Sequence, residues 1–297
     1  MSDEYRRFWI TSRRAEEIEA LLAEAFEAGA EGAEEVDVEG AWRACVYAGA
    51  AKVEAIRSRV AHRASAEARV DAVEKLPRVD WSEAWKEGLE PLRISARLVV
   101  RPPFVEWSLE PGQCEVVIDP GQAFGTGAHA STRLALEWID ALYAARIDGP
   151  GLERVLDVGT GSGVLALAAV ALGAEEVLGF DLDPVAVDAA REAAVANGLA
   201  ERTHFVAGPI HEVVGPGERF SLVVANLLKR EILPIAGEVA GHTARSGRLV
   251  LSGLLEEDAE EVLARFAVEG LHEIAPRRAC LDETGRWVGL CLGHDAA

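Results

Sequence analysis

The stretch Arg154-Val-Leu-Asp-Val-Gly-Thr-Gly-Ser-Gly163 joins an apolar strand directly to a turn with glycine at three alternate positions. Such a turn is typical of nucleotide-binding proteins, because glycine lets the backbone approach the ligand closely. The dinucleotide fingerprint G-x-G-x-x-G would need glycine where Val164 stands, and an acid lies just inside the strand end. The pattern favours S-adenosylmethionine over a pyrophosphate cofactor, with the expected contacts at Asp157, Gly159, Gly161 and Gly163.

The composition is that of a globular protein with an acidic surface. Of its 297 residues, 49% are hydrophobic, which suffices for one large or two modest domains. The chain begins without a secretory signal and has no apolar run of membrane-spanning length, so we expect a cytoplasmic protein that binds no membrane. A formal net charge of −20 disfavours direct binding to nucleic acid and favours a basic partner. The four cysteines are scattered without a C-x-x-C pair, so we expect neither a metal site nor disulfides.

A small α+β module occupies the first part of the chain. The spacing of apolar residues predicts a β-α-β-β-α order: strand 5–11, helix 14–28, a short strand with Val36 and Val38, strand 42–47 and helix 50–60. We assign residues 1–62 to this N-terminal domain. Residues 63–110, polar and alanine-rich before Leu76-Pro77, are assigned to a linker and connecting segment.

The remainder, residues 111–297, alternates strands with helices. Strands are predicted at 116–118, 154–158, 177–181, 203–207, 221–225, 248–252, 271–280 and 286–292. This alternation indicates an α/β fold with a doubly wound, mostly parallel, seven-stranded sheet. The turn Asp282-Glu-Thr-Gly285 suits a hairpin, which makes one of the last strands antiparallel. That arrangement is typical of the Rossmann-like class I methyltransferases rather than of dehydrogenases.

Two acids follow the strand at 177–181. Asp181 lies where the adenosine ribose of the cofactor is expected, and one carboxylate can accept hydrogen bonds from both ribose hydroxyls. For Asp183 a structural role is favoured, because it directly precedes Pro184 and therefore suits the N-cap of the next helix.

Asn226 ends the apolar strand at 221–225 and is a candidate catalytic residue. Its side-chain oxygen, together with the backbone carbonyl of Leu227, could accept hydrogen bonds from an incoming amine and direct the amine lone pair at a methyl group. Asparagine is also a preferred helix N-cap, so a capping role stays open.

The glycine-rich loop Asp119-Pro-Gly-Gln-Ala-Phe-Gly-Thr-Gly-Ala-His129 precedes an apolar helical stretch. This loop, the glycine turn at 159–163 and the Asn226 segment follow one another behind a small N-terminal module. In this order they resemble the PrmA family, the methyltransferases of ribosomal protein L11, over nearly the whole chain. The loop is the most specific of the three motifs.

The resemblance implies site residues and a function. It places Thr132, Gly159, Asp181 and Asn226 at cofactor-binding positions. It makes Phe124, Gly125, Thr126, Gly127 and His129 the lining of the site, although for His129 we favour fixing the loop over acting as a base. It implies methyl transfer to lysine or N-terminal amines of L11, with substrate recognition by residues 1–62. Separately from the resemblance, we expect a monomer.

The chain departs from the family pattern at Ala128, Ala130 and Ser131 and again at Leu227–Lys229. Lys229 is either a solvated helix start or a substrate contact. Alternative functions are methyl transfer to lysines of another protein or to a small molecule. From other classes, the alternatives are an NAD-dependent oxidoreductase and a non-catalytic cofactor-binding protein.

Overall fold

The computed structural model describes residues 5–38, 41–75, 89–120, 127, 129–145 and 151–294. The chain divides into two units, Met1–Gly88 and Leu89–Ala297, each with its own internal contacts. None of the helices in the described residues combines the length and apolar character needed to cross a membrane.

The first unit is an antiparallel sheet covered on one face by two helices. Its elements are β1 (Tyr5–Ser12), α1 (Ala15–Glu27), β2 (Gly32–Val38), β3 (Ala41–Gly49), α2 (Val53–Arg63), β4 (Arg69–Val70) and β5 (Glu74–Lys75). The strand order is β2-β3-β1-β4, and β5 also pairs with β1. Because side chains alternate along a strand, Phe8 and Ile10 share the face that packs on Ile18 and Ile56 of the helices.

The observed order β1-α1-β2-β3-α2 agrees with the order predicted for residues 1–62. The boundary of the predicted linker is wrong, because residues after 62 complete the sheet. Val70 pairs with Ile10 and Glu74 pairs with Arg7, so β4 and β5 cover the edge of β1 that β3 leaves open. A strand edge offers unpaired backbone groups, and a short segment can satisfy them without any apolar pattern of its own.

The second unit begins with a small sheet of three strands, β6 (Leu92–Arg93), β7 (Leu98–Arg101) and β8 (Cys114–Val117). Strand β6 is antiparallel and β8 parallel to β7. Two predictions are corrected here. Part of the predicted connecting segment forms strands, and the strand predicted at 116–118 belongs to this sheet instead of the large one. Apolar periodicity identifies a strand but does not say which neighbour it will pair with.

The large sheet alternates with helices along the chain. Its elements are α3 (Ala130–Ala144), β9 (Arg154–Val158), α4 (Val164–Leu172), β10 (Glu176–Asp181), α5 (Pro184–Ala196), β11 (Thr203–Ala207), α6 (Ile210–Val213), β12 (Phe220–Asn226), α7 (Lys229–His242), β13 (Thr243–Leu255), α8 (Ala259–Ala267), β14 (Leu271–Glu273), β15 (Arg278–Asp282) and β16 (Gly285–His294). The order is β11-β10-β9-β12-β13-β16-β14, and β15 also pairs with β16. The doubly wound class I methyltransferase fold is thereby confirmed, although β15 makes the sheet eight-stranded in the described residues instead of seven-stranded.

The sheet is parallel from β11 to β13, and β16 runs antiparallel to β13. The hairpin predicted at Asp282–Gly285 joins β15 to β16. The single strand predicted at 271–280 is wrong, since residues 274–277 separate β14 from β15. Pro276 lies in that gap, where its missing backbone N–H would interrupt a strand ladder.

Both faces of the large sheet are buried, which makes its strands continuous apolar runs. In β9, Val155 faces one core and Leu156 faces the other. The strand order reverses between β9 and β12: the chain adds β10 and β11 on one side of β9 and then places β12 on the other side. At such a reversal the carboxyl ends of the two strands leave a crevice, which is where ligands bind in open α/β sheets.

Candidate active site

A cavity of about 790 Å³ opens at the carboxyl ends of β9, β10 and β12. Its size lies within the range of about 300–1,000 Å³ that is usual for small-molecule sites. Seven of the predicted site residues line it, namely His129, Thr132, Gly159, Gly161, Asp181, Asn226 and Leu227. Phe124, Gly125 and Thr126 were also predicted there, and they lie outside the described residues. Asp157 and Gly163 do not line the cavity; both contact residues around the glycine turn.

The glycine turn after β9 has the backbone conformation that its sequence predicts. Gly159, Gly161 and Gly163 have φ values of +70°, +53° and +80°, which L side chains rarely adopt. A Cβ on Gly159 would lie 2.6 Å from Leu227 Cδ2, and a Cβ on Gly163 would lie 3.0 Å from Ala190 Cβ. The first glycine therefore keeps the cavity open, whereas the third lets α4 pack closely on α5.

Asp157 is fully buried beneath this turn. Its Oδ2 accepts hydrogen bonds from Thr160 Oγ1 at 2.7 Å and from the Ala166 backbone N–H at 3.2 Å. Its Oδ1 is buried and has no hydrogen-bond partner among the described residues. Burial raises the pKa of the Asp157 carboxyl to about 7. The side chain thus ties the turn to the first residues of α4.

Asp181 joins the tip of β10 to the glycine turn. Its Oδ2 accepts a hydrogen bond from the Gly161 backbone N–H at 2.9 Å, and its Oδ1 accepts one from Asp183 N–H at 3.0 Å. The half-buried carboxylate lines the cavity and retains capacity to accept further hydrogen bonds. Asp183 Oδ1 accepts a hydrogen bond from Val185 N–H at 2.9 Å, which confirms the predicted N-cap of α5.

Asn226 ends β12 with its amide held by α3. Asn226 Nδ2 donates a hydrogen bond to Thr132 Oγ1 at 3.1 Å, and Thr132 is completely buried. Asn226 Oδ1 is buried and accepts no hydrogen bond from any described residue. The following helix α7 begins at Lys229 with Leu228 as its N-cap, so the capping alternative for Asn226 is excluded. The amide is therefore oriented with its donor occupied and its acceptor available.

Gly253 supports the Leu227 peptide from β13, and the sequence reasoning missed it. Leu227 N–H donates to the Ser252 carbonyl at 3.1 Å. Gly253 has a φ of +80°, and a Cβ there would lie 2.6 Å from the Leu227 carbonyl oxygen. A glycine inside a strand pattern often marks a close backbone approach, which is the signal that could have identified it.

His129 is the N-cap of α3 and faces Trp287, a second residue that the sequence reasoning missed. His129 Nδ1 accepts a hydrogen bond from Ser131 N–H at 3.2 Å and thereby caps the helix. The His129 and Trp287 rings meet edge to face, with centroids 4.7 Å apart, and both line the cavity. This geometry supports the favoured interpretation that His129 fixes the end of its loop. Contact between His129 and a cofactor stays a prediction.

Lys229 is engaged in ion pairs at the start of α7. Its Nζ lies 2.6 Å from Asp258 Oδ1 and 3.1 Å from Glu261 Oε2. Hydrogen bonds to these two acids raise the pKa of Lys229. Lys229 is absent from the residues that line the cavity. Of its two predicted roles, the solvated helix start fits the geometry better than a substrate contact.

Comparison with known proteins identifies the same family that the sequence motifs resemble. The family model for ribosomal protein L11 methyltransferase (PrmA) matches residues 11–290. The chain belongs to the PrmA family. Curated PrmA relatives include the ribosomal protein L11 methyltransferase of Syntrophotalea carbinolica, 42% identical over 73% of this chain and 67% of the relative. That of Geobacter sulfurreducens is 42% identical over 67% of this chain and 62% of the relative.

A solved PrmA-family structure has the same architecture. The ribosomal protein L11 methylase from Lactobacillus delbrueckii subsp. bulgaricus matches with a TM-score of 0.59 and 28% sequence identity. The match covers 69% of this chain and 99% of that one. The resemblance inferred from the loop, the glycine turn and the Asn226 segment is therefore confirmed at the level of the family.

Proposed function

We propose that this chain is an S-adenosylmethionine-dependent methyltransferase that acts on amino groups of ribosomal protein L11. The observation that carries the proposal is the orientation of Asn226, whose Nδ2 is bonded to Thr132 while its buried Oδ1 has no partner among the described residues. Asn226 lines the same cavity as the glycine turn, where the family places its methyl donor. A matching segment that covers about two thirds of the curated relatives supports the activity without establishing it.

The residues present fit the proposed cofactor. Gly159 has no Cβ, and a side chain there would run into Leu227 and narrow the cavity. Asp181 offers carboxylate oxygens to the ribose hydroxyls, and the neighbouring Leu182, Pro209 and Ile210 give the cavity an apolar side. When bound, S-adenosylmethionine would supply an electrophilic methyl group on a positively charged sulfur. Because the sulfur becomes neutral as the methyl group leaves, the site needs no general acid.

The acceptor amine must be neutral and correctly directed. A free lysine has a pKa of about 10.4, so deprotonation at pH 7 costs roughly 4–5 kcal/mol. Removing the ammonium group from water lowers that cost, because burial disfavours the charged form. Asn226 Oδ1 and the Leu227 carbonyl would accept hydrogen bonds from the amine and orient its lone pair. Positioning of this kind accounts for a large share of the rate in two-substrate reactions.

We assign substrate recognition to the N-terminal unit, Met1–Gly88, and take the enzyme to be a cytoplasmic monomer. A second unit is more useful for a protein acceptor than for a small molecule, which one cavity can enclose. Removing residues 1–88 should abolish methylation of L11 while binding of S-adenosylhomocysteine is retained. Undiminished methylation of L11 by the shortened protein would contradict this assignment.

The experiment that tests the proposed function combines the full chain, labelled S-adenosylmethionine and purified L11. We expect label on L11 and mass increments at lysine or N-terminal amines, as located by peptide mass spectrometry. A parallel reaction with a ribosome-free cell extract serves as the specificity control. Label on another protein, with L11 unmodified, would remove L11 as the substrate, and label on no protein would remove the protein methyltransferase activity.

A further inference from the structure

The hairpin turn between β15 and β16 is connected to the active site through one indole ring. The Trp287 indole N–H is shared between two acceptors of the turn: Nε1 donates to Asp282 Oδ1 at 3.1 Å and to Thr284 Oγ1 at 3.0 Å, and Asp282 in turn holds Thr284. The indole is buried, lines the cavity and packs beside Ala130 and Leu134 of α3. A turn that is largely exposed therefore determines the orientation of a ring inside the site.

Asp282 is the acceptor around which this turn is built. The same Oδ1 atom accepts hydrogen bonds from Thr284 N–H at 2.8 Å, Thr284 Oγ1 at 2.6 Å and Gly285 N–H at 3.2 Å. The hydrogen bonds from Thr284, together with the one from Trp287, hold the pKa of Asp282 below its usual range. The carboxylate is thus charged at neutral pH and is fixed in one place by local contacts.

From Trp287 the contacts continue to the catalytic amide. The indole edge meets the His129 ring at an interplanar angle of 74°, and His129 caps the first turn of α3. Ser131, in that turn, accepts a hydrogen bond at its carbonyl from Ser252 Oγ at 2.8 Å. The next residue is Thr132, which holds Asn226. Each link is a direct contact, and the last one sets the direction of the acceptor oxygen.

We propose that Asp282 is a positioning residue for methyl transfer, acting through the Trp287 indole N–H on the start of α3 and so on Asn226. The inference rests on the proposed function, because it concerns the geometry of the same acceptor amide. Asp282 touches neither substrate nor cofactor in this account. Its loss should reduce turnover and leave the affinity for the cofactor product nearly unchanged.

The test is a double-mutant cycle on the full chain with Asp282→Ala and Trp287→Phe, because Phe keeps an aromatic ring beside His129 but has no N–H. We expect Asp282→Ala to lower kcat roughly tenfold, in line with the sensitivity of reaction rates to small misplacements. In the Trp287→Phe background, Asp282→Ala should lower kcat less than twofold. Non-additivity of this kind is evidence for a direct coupling between two residues.

Two further variants and one measurement separate positioning from general loss of structure. Asp282→Asn keeps an acceptor oxygen and should restore most of kcat, whereas Glu283→Ala, exposed in the same turn, should resemble the wild type. The Kd of S-adenosylhomocysteine, measured by calorimetry, should change less than twofold in the Asp282 and Glu283 single variants, whose side chains do not line the cavity. Additive effects in the cycle, or an equal loss in Asp282→Asn, would overturn the inference. If the wild type itself does not methylate L11, the proposed function fails and this inference fails with it, whereas an active wild type with additive effects in the cycle would overturn the inference alone.

Discussion

The two halves of the cavity are built in different ways. The half formed by the glycine turn and Asp181 comes from one continuous β-α-β segment, residues 154–181, and is held by contacts close in sequence. The half formed by Asn226 depends on partners that are 94 residues away at Thr132 and on a Ser131–Ser252 hydrogen bond that spans 121 residues. The proposed cofactor site is thus encoded locally, whereas the proposed amine-accepting site requires distant parts of the chain to assemble.

The largest expected effect is the loss of folding stability when alanine replaces one of the two glycines that contact Leu227, Gly253 and Gly159. Gly253→Ala adds a Cβ at 2.6 Å from the Leu227 backbone oxygen, and Gly159→Ala adds one at 2.6 Å from a Leu227 side-chain atom that can rotate away. Both positions have positive φ, which costs about 1–2 kcal/mol for a non-glycine residue. We expect Gly253→Ala to destabilise the fold by about 2–5 kcal/mol, because overpacking adds about 1–3 kcal/mol to the cost of the positive φ.

Gly198→Ala is the matched control, because Gly198 has a φ of +67° and open space around its Cβ position. Urea unfolding should rank the losses in the order Gly253, Gly159, Gly198. If all three substitutions cost the same, backbone conformation alone would explain these glycines and close approach to Leu227 would not.

The sequence predicted the local half of the site well and the assembled half only in part. The glycine turn, the Asp183 cap and the position of Asp181 depend on neighbours along the chain, so their residue types carry the information. Asn226 stood out because it is a polar residue at the end of an apolar strand. The role of Thr132, by contrast, depends on the packing of α3 against the end of β12, where Thr132 accepts a hydrogen bond from Asn226.

The missed features share one physical cause. The support from Gly253 arises from the pairing of β12 with β13, and the ring of Trp287 is placed by β16, which returns antiparallel beside β13. Strand pairing also explains why the strand predicted at 116–118 is not part of the large sheet: it pairs with β7 instead. Periodicity in a sequence reports which face of a segment is buried, and it carries no record of the partner.

A second, smaller effect concerns the pH dependence of the local half. The pKa of Asp157 rises from 3.8 to about 7 in the folded state because the carboxyl is buried. A raised carboxyl pKa means that the folded state binds the proton more tightly than the unfolded chain. The contribution of Asp157 to the free energy of unfolding is therefore fully present below about pH 4 and is lost as the pH rises to about 7. At ~1.4 kcal/mol per pKa unit, this loss amounts to a few kcal/mol.

Asp157→Asn removes this titration and can retain the hydrogen bonds from Thr160 and Ala166. The free energy of unfolding of the wild type, minus that of the variant, should therefore fall between pH 5 and pH 8 in urea titrations. A difference that stays constant, or that grows with pH, would show that the buried carboxyl does not control the stability of the turn.

The smallest of these effects is expected for cofactor affinity at Asp181. Asp181→Ala removes the carboxylate beside the glycine turn and should weaken S-adenosylhomocysteine binding about tenfold, or ~1.4 kcal/mol. The kcat at saturating S-adenosylmethionine should change little. Asp183→Ala is the control: loss of the α5 cap should cost about 1 kcal/mol of stability and leave affinity unchanged. Equal losses of affinity in the two variants would assign the Asp181 effect to the end of β10 in general.

The central claim is that Asn226 orients the amine and contributes little to holding the cofactor. The most direct measurement compares Asn226→Ala with the wild type for two quantities, kcat for methyl transfer to L11 and the Kd of S-adenosylhomocysteine by calorimetry. We predict that kcat falls by about 100-fold or more, consistent with loss of positioning, while Kd changes less than about threefold. A parallel loss of both quantities, or a kcat that survives the substitution, would contradict the account.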